Sequence, residues 1–388
     1  MLVIKWNRRK KIIFLIILSS LILSSLILID QIFIDKAINN DPSTDHTDNQ
    51  LYIKRARTIL EGSLLYRDVD TQTPPLINYL LVPPVYFGGS PLAFEVYFSL
   101  FIIITVISIY YFLSPIDEKK AFLSAIAFLF VPTTLFVPTF ARQDEAIVVF
   151  FFLLPLLLLV RNKKYAYTFF SSLGVWIKMH SIFLIPPLLL KSKKRDLLNH
   201  IFIIIVVSLV ITIPFLILAF KEFIWHLKFY FLGEGGKLEG ISFWRILDSQ
   251  GYGIPSIILI SLFIISLLFV YFISYKKNYS IWKIICLTLF LYFILYPKIH
   301  YEYFIMLFAI FVPYFIENKK SIAILYTISI LSGATLLIEQ RYLDWKIATY
   351  ASNVFIPLAL IFMISIDILL ILLFLEDRES WLEKNISQ

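Results

Sequence analysis

The chain is short of charge. Only 16% of its 388 residues are Asp, Glu, Lys or Arg, while 59% are hydrophobic. Soluble domains carry about 25% charged residues. No soluble core of this size hides so much apolar surface, which excludes soluble enzymes, small secreted domains and disordered chains. Cysteine is almost absent as well. The single Cys286 lies within an apolar run, so no intramolecular disulfide can form. The sequence has no clustered Cys/His ligand set, no HExxH, no Walker loop and no dinucleotide glycine fingerprint. It identifies no cofactor and no dedicated metal cage, and a divalent metal is left open. It also lacks a sustained repeat, a low-complexity tract and a soluble domain at either end.

Long apolar runs take the place of all these. Ile12–Ile29 and Ile201–Phe220 match the roughly 20 residues that cross a bilayer as a helix, and the mean hydropathy is +0.82. The expected fold is an all-α polytopic membrane protein, one transmembrane domain over 1–388. About twelve apolar segments are read as spans, at 12–29, 92–113, 121–138, 145–160, 165–177, 181–190, 200–220, 255–275, 282–296, 303–316, 321–338 and 353–375. The net charge of +8 arises in short loops such as Asp117-Glu-Lys-Lys120, Arg161-Asn-Lys-Lys164, Lys191-Ser-Lys-Lys-Arg195 and Glu317-Asn-Lys-Lys320. This is the positive-inside pattern, not a nucleic-acid surface, and it assigns those loops and both termini to the cytoplasm. The basic Lys5–Lys11 stretch is like the start of a signal peptide. The run after it is longer than a signal core and ends in Asp30–Asp35 without a small-residue cleavage site, so an uncleaved first span is expected.

Two long loops, 30–91 and 221–254, and the connections 139–144, 297–302 and 339–352 then face outward. In the first loop a surface helix is expected over 45–61, capped by Ser43 or Asp45, with Asp48 in its first turn and Gly62 as its stop. Pro74-Pro75 opens a second juxtamembrane element, Leu76–Phe87, interrupted by Pro83-Pro84 and ended by Gly88-Gly89. The segments 165–177 and 181–190 are individually too short to span and flank Lys178 and His180. They read either as broken helices around a wet cavity or as one wrongly divided segment.

Ionisable residues from separate segments gather on the outward side: Asp45, His46, Asp48 and Tyr52; Arg142, Asp144 and Glu145; Lys178 and His180; Lys298, His300 and Glu302. Charges beside apolar spans carry a desolvation cost and mark functional sites. Each has an ordinary alternative. Asp45 and Asp48 serve equally as helix caps, Tyr52 as an interfacial anchor, Asp144 as a solvated loop charge, Lys178 as a snorkelling cation and His300 as a loop histidine. Asp367 in the last span fits interhelical contact better than chemistry, and Glu95 is ambiguous.

Asp48-Asn-Gln-Leu-Tyr52, Ala56, Gly62, Tyr66-Arg-Asp68 and Pro74-Pro-Leu76 resemble the first lumenal loop of the GT-C glycosyltransferase superfamily. Ala141-Arg-Gln-Asp144 resembles its second acidic loop, and Lys298-Ile-His300 its late basic loop. The likeness is closest to polyprenyl-phosphate-mannose-type transferases and to the protein mannosyltransferase and aminoarabinose transferase branch. It covers most of the chain as topology and a few dozen residues as motifs. The tryptophan-rich motif and large C-terminal domain of oligosaccharyltransferases are missing, which argues against block transfer to asparagine. Asn49 stands where the protein mannosyltransferase branch commonly has Glu.

The resemblance implies a GT-C-like bundle in the cell membrane. Its activity would be inverting transfer of one sugar from a polyprenyl (dolichyl-type) phosphate donor to a hydroxyl of a lipid, glycan or protein, at the extracytoplasmic face. Asp48 is then the base, and its first-turn position is expected to favour the charged carboxylate. Asp45, three residues earlier, is the rival base and otherwise a substrate-binding residue. Tyr52 and Asp144 also bind substrate. Lys298 and His300 approach the donor phosphate, with Arg142 or Lys178 as alternates. The competing readings are a transporter or flippase for lipid-linked sugars, which would place its charges near the midplane of inverted repeats, and a scaffold subunit with a decayed site.

Overall fold

A chain this apolar satisfies its backbone within helices. The structure, a computed structural model, describes residues 7–36, 47–231, 238–338, 349–375 and 380–383. Among them almost everything ordered is helical. The chain folds as two compact units, Met1–Leu227 and Lys228–Gln388.

The first unit holds α1 (Arg8–Ile29), which runs on through a π turn at Asp30–Ile34. The juxtamembrane helices follow: α2 (Asn49–Leu60), α3 (Pro75–Leu80) and α4 (Val82–Tyr86). After them come α5 (Pro91–Leu113), α6 (Glu118–Leu129), α7 (Pro132–Phe136), α8 (Glu145–Val160), α9 (Lys164–Val175), α10 (Ile185–Lys191), α11 (Lys194–Leu218) and the greater part of α12 (Phe220–Phe231). At the centre is α5, packed on α1, α6 and α8. Its buried face repeats at helical spacing through Phe94, Phe98, Ile102, Val106, Ile109 and Leu113. One end of this bundle is basic. Arg8 and Arg161 both donate to the Tyr111 carbonyl, at 2.8 and 2.9 Å, and Lys11 pairs with Glu118 at 2.9 Å. The start of α1, the end of α5, the start of α6 and the end of α8 therefore converge, and their other ends lie together at the opposite end of the bundle.

The second unit contains β1 (Glu239–Gly240), α13 (Phe243–Ser249), α14 (Ser256–Lys276), α15 (Ile281–Leu295), β2 (Lys298–Ile299), α16 (Phe304–Phe315), α17 (Lys319–Ile338) and α18 (Thr349–Leu375). Every residue of α16 is buried, as expected of a helix that is apolar all round. Near the C-terminus Trp381 and Ser380 close over it by donating to the carbonyls of Pro313 and Tyr314, both at 2.7 Å.

Each of the twelve apolar segments is helical in whole or part. Six helices among the described residues are long and apolar enough to cross a membrane: Arg8–Ile34, Pro91–Leu113, Lys194–Leu218, Ser256–Lys276, Lys319–Leu337 and Ile356–Leu375. Only 17% and 11% of the apolar windows of α11 and α14 are buried, leaving apolar flanks that suit lipid rather than water. Several boundaries differ from those read in the sequence. The 121–138 segment breaks into α6 and α7 because Pro132 starts a new helix. Leu76–Phe87 is interrupted at Leu81 instead of at Pro83-Pro84, whose rings sit within the short α4. The 221–254 loop contains α12, β1 and α13, and β1 pairs in parallel with β2, a pairing that no all-α reading anticipates.

Candidate functional site

The polar end of the first unit is built from five chain breaks. Helix α2 begins at Asn49, not at residue 45, with Asp48 as its N-cap and Gly62 at φ +75° just past its end. The predicted cap residues Ser43 and Asp45, and His46 with them, lie outside the described residues. Asp48 does not cap. Its side chain accepts no helix N–H, and it sits half-buried near Gln143, Asp144 and Lys178. Burial, then the neighbouring Asp144 charge, raise its pKa above the ordinary aspartate value. The expected charge stabilisation by the helix start is thus overridden, and the carboxylate becomes a better base.

One turn later Tyr52 is buried, its ring against Phe94 and Phe98. Its hydroxyl donates to Gln143 Oε1 at 3.0 Å and accepts the Asp144 N–H at 3.3 Å. Burial and the surrounding carboxylates push its phenol well above the usual range, so it remains a neutral donor. These bonds replace the interfacial-anchor alternative with a fixed link between α2 and the start of α8.

Asp144 is the N-cap residue of α8, and its side chain also turns away from the helix. Lys178 reaches it from the break after α9, with Nζ 3.0 Å from Asp144 Oδ1 and 2.7 Å from Glu145 Oε1. The break exists because Lys178 is extended between α9 and a 3-10 turn at Met179–Leu184. This geometry agrees with the broken-helix reading of the segment. Burial opposes the ammonium charge, but the two carboxylates outweigh it and hold the Lys178 pKa well above normal.

Arg142 behaves differently from a free substrate cation. It is 1% exposed, in the left-handed region at φ +50°. Its guanidinium meets Asp30 at 3.2 Å, Asp35 at 3.4 Å and Glu95 at 3.3 Å, while Gln31 donates to both Glu95 oxygens at 3.1 Å. One cation thus ties the 139–144 connection to the ends of α1 and α5. The sequence does not single out Asp30, Asp35 or Gln143 as site residues, and it leaves Glu95 ambiguous. The usable signal was the presence of Asp30 and Glu95 at the ends of apolar spans, where a charge needs a partner.

Asp48, Tyr52, Asp144 and Lys178 are therefore brought together in the first unit. Lys298 and His300 belong to the second. Lys298 lies in β2, and the His300 ring is 3.9 Å from Glu302 and 5.2 Å from the Tyr303 ring centroid. Among the described residues no group of three or more His, Cys, Asp or Glu side chains is arranged to hold a metal. Compared with protein-family models and with curated proteins, the chain matches none.

Proposed function

We propose that this chain is an inverting, GT-C-type glycosyltransferase that moves a single sugar from a polyprenyl-phosphate donor to an acceptor hydroxyl. One observation carries the reading. A half-buried carboxylate with a raised pKa, Asp48, stands beside Tyr52, Gln143, Asp144 and Lys178 at the end of a bundle of apolar helices. In the proposed step Asp48 takes the acceptor O–H proton as the oxygen attacks the anomeric carbon. The new C–O bond forms while the bond to phosphate breaks, and the lipid phosphate leaves with the electron pair. That anion needs cations more than a general acid. Asp144, held by Lys178, orients the acceptor. The twelve-span topology, the cell-membrane location with cytoplasmic termini and the extracytoplasmic site belong to the same proposal.

Incubating the purified chain with a panel of polyprenyl-phosphate hexoses and alcohol acceptors tests it. One donor is expected to be consumed, with its sugar appearing on one of the alcohols. Movement of intact donor across a bilayer with no sugar released would establish the transporter reading instead.

A further inference from the structure

The Tyr66-Arg-Asp68 motif has no part in this chemistry, yet its conformation is tightly held. Tyr66 has φ +71°, a region that side-chain-bearing residues rarely adopt. Its N–H donates to the Val69 carbonyl at 3.0 Å and its hydroxyl to the Thr73 carbonyl at 2.9 Å. The ring is enclosed by Phe215, Phe223 and His226 at 5.2, 5.2 and 5.3 Å. With Tyr66 turned inward, the next two side chains face out. Arg67 and Asp68 form a two-pronged pair at 2.9 and 2.8 Å, and Asp68 also accepts the Leu64 N–H at 2.7 Å.

Helix α12 completes the feature with its two faces. Phe223 and His226 are buried toward Tyr66. Lys221, Glu222 and Trp225 lie on the other side, and together with the turn they line a cleft of about 440 Å³. Such a volume falls within the roughly 300–1,000 Å³ of small-ligand sites. Trp225, at 40% exposure, places an indole among charged groups.

We propose that this cleft binds a neutral carbohydrate, stacked on Trp225 and hydrogen-bonded by the Arg67–Asp68 pair, Asp70, Lys221 and Glu222. A sugar hydroxyl both donates and accepts, so it uses cations and carboxylates alike, while the C–H face of the ring suits an aromatic surface. A phosphate would meet three carboxylates against two cations, one of which Asp68 already occupies. A wholly apolar ligand would desolvate every charge in the wall. Because the Leu64 N–H and Arg67 both hold the Asp68 carboxylate, that group meets a ligand already positioned. That the sugar is the acceptor rests on the transferase reading; the binding itself does not.

The test uses the full chain in lipid nanodiscs without donor, and saturation-transfer difference NMR with maltotriose and mannotriose, inorganic phosphate serving as competitor. At least one trisaccharide is expected to give signal that phosphate leaves unchanged. Trp225→Ala and Glu222→Gln should each weaken binding about tenfold, and Trp225→Phe should keep most of it. Absence of signal from both sugars, displacement by phosphate, or unchanged binding in Trp225→Ala would overturn the assignment. Trisaccharide binding by a chain that transfers no sugar would overturn only the transferase reading. Transfer with an unaltered acceptor KM in Trp225→Ala would overturn only the cleft's role as the acceptor site.

Discussion

At the scale of single residues, the two polar groupings at the end of the first unit have opposite characters. Around Arg142 three carboxylates share one guanidinium in a nearly dry setting. Removing that cation leaves buried acids without compensation, so Arg142→Gln should destabilise the first unit by about 3–5 kcal/mol, read as lowered thermal stability in detergent. Arg142→Lys, a single point charge on a fork-shaped site, should recover only part of it. Around Asp48 the grouping keeps Asp48 itself partly exposed, while Tyr52 and Asp144 are buried. Asp48, Tyr52, Asp144 and Lys178 were legible as chemistry-bearing residues because they are polar groups stranded beside apolar runs. Their mutual hydrogen bonds were not legible, since residues 52 and 143 are brought together by tertiary packing alone. The caps also misled. The sequence pattern makes Asp48 look like a helix cap and Asp144 like a loop charge or a helix start; both occupy N-cap positions, yet neither side chain caps its helix.

Among the elements, apolar periodicity located the helices well and their interruptions poorly. Breaks that depend on a proline inside a continuous apolar run, as at Pro132, leave no mark in hydropathy. The β1–β2 pairing was out of reach for a different reason, because two residues on each strand carry too little pattern to detect. Its register places Gly240 against Ile299, and Gly240 has φ +75°. A Cβ there would collide with the Ile299 carbonyl oxygen. Gly240→Ala should therefore dislodge β2 and the Lys298–His300 segment it positions, costing more than about 1 kcal/mol. The matching readout is a lowered thermal stability of the full chain in detergent.

For the whole molecule, the separation of a basic end from an acid-rich end in the first unit gives the proposed orientation a direct check. Asn278, in the turn between α14 and α15, begins the sequon Asn278-Tyr-Ser280 and should stay unmodified in a glycosylating host. Glu61→Asn, which completes a sequon with Gly62 and Ser63 on the α2 side, should acquire a glycan visible as a mobility shift. The reverse pattern would invert the topology and remove the extracytoplasmic site. Asn385, the other native sequon, lies outside the described residues.

The central claim, that Asp48 is the base of a sugar transfer, is met most directly by Asp48→Asn measured for donor binding and turnover on one preparation. The side chain keeps its shape and loses its basicity, so donor affinity and folding should persist while transfer falls by about 10²–10⁴-fold. In the unaltered protein the base acts only when deprotonated. Because its pKa is raised, activity should decline on acidification at a pH above the usual aspartate value near 3.9, and that limb should vanish from the residual activity of the variant. Near-normal turnover in Asp48→Asn, with transfer abolished instead by Asp144→Asn or Asp45→Asn, would contradict the account.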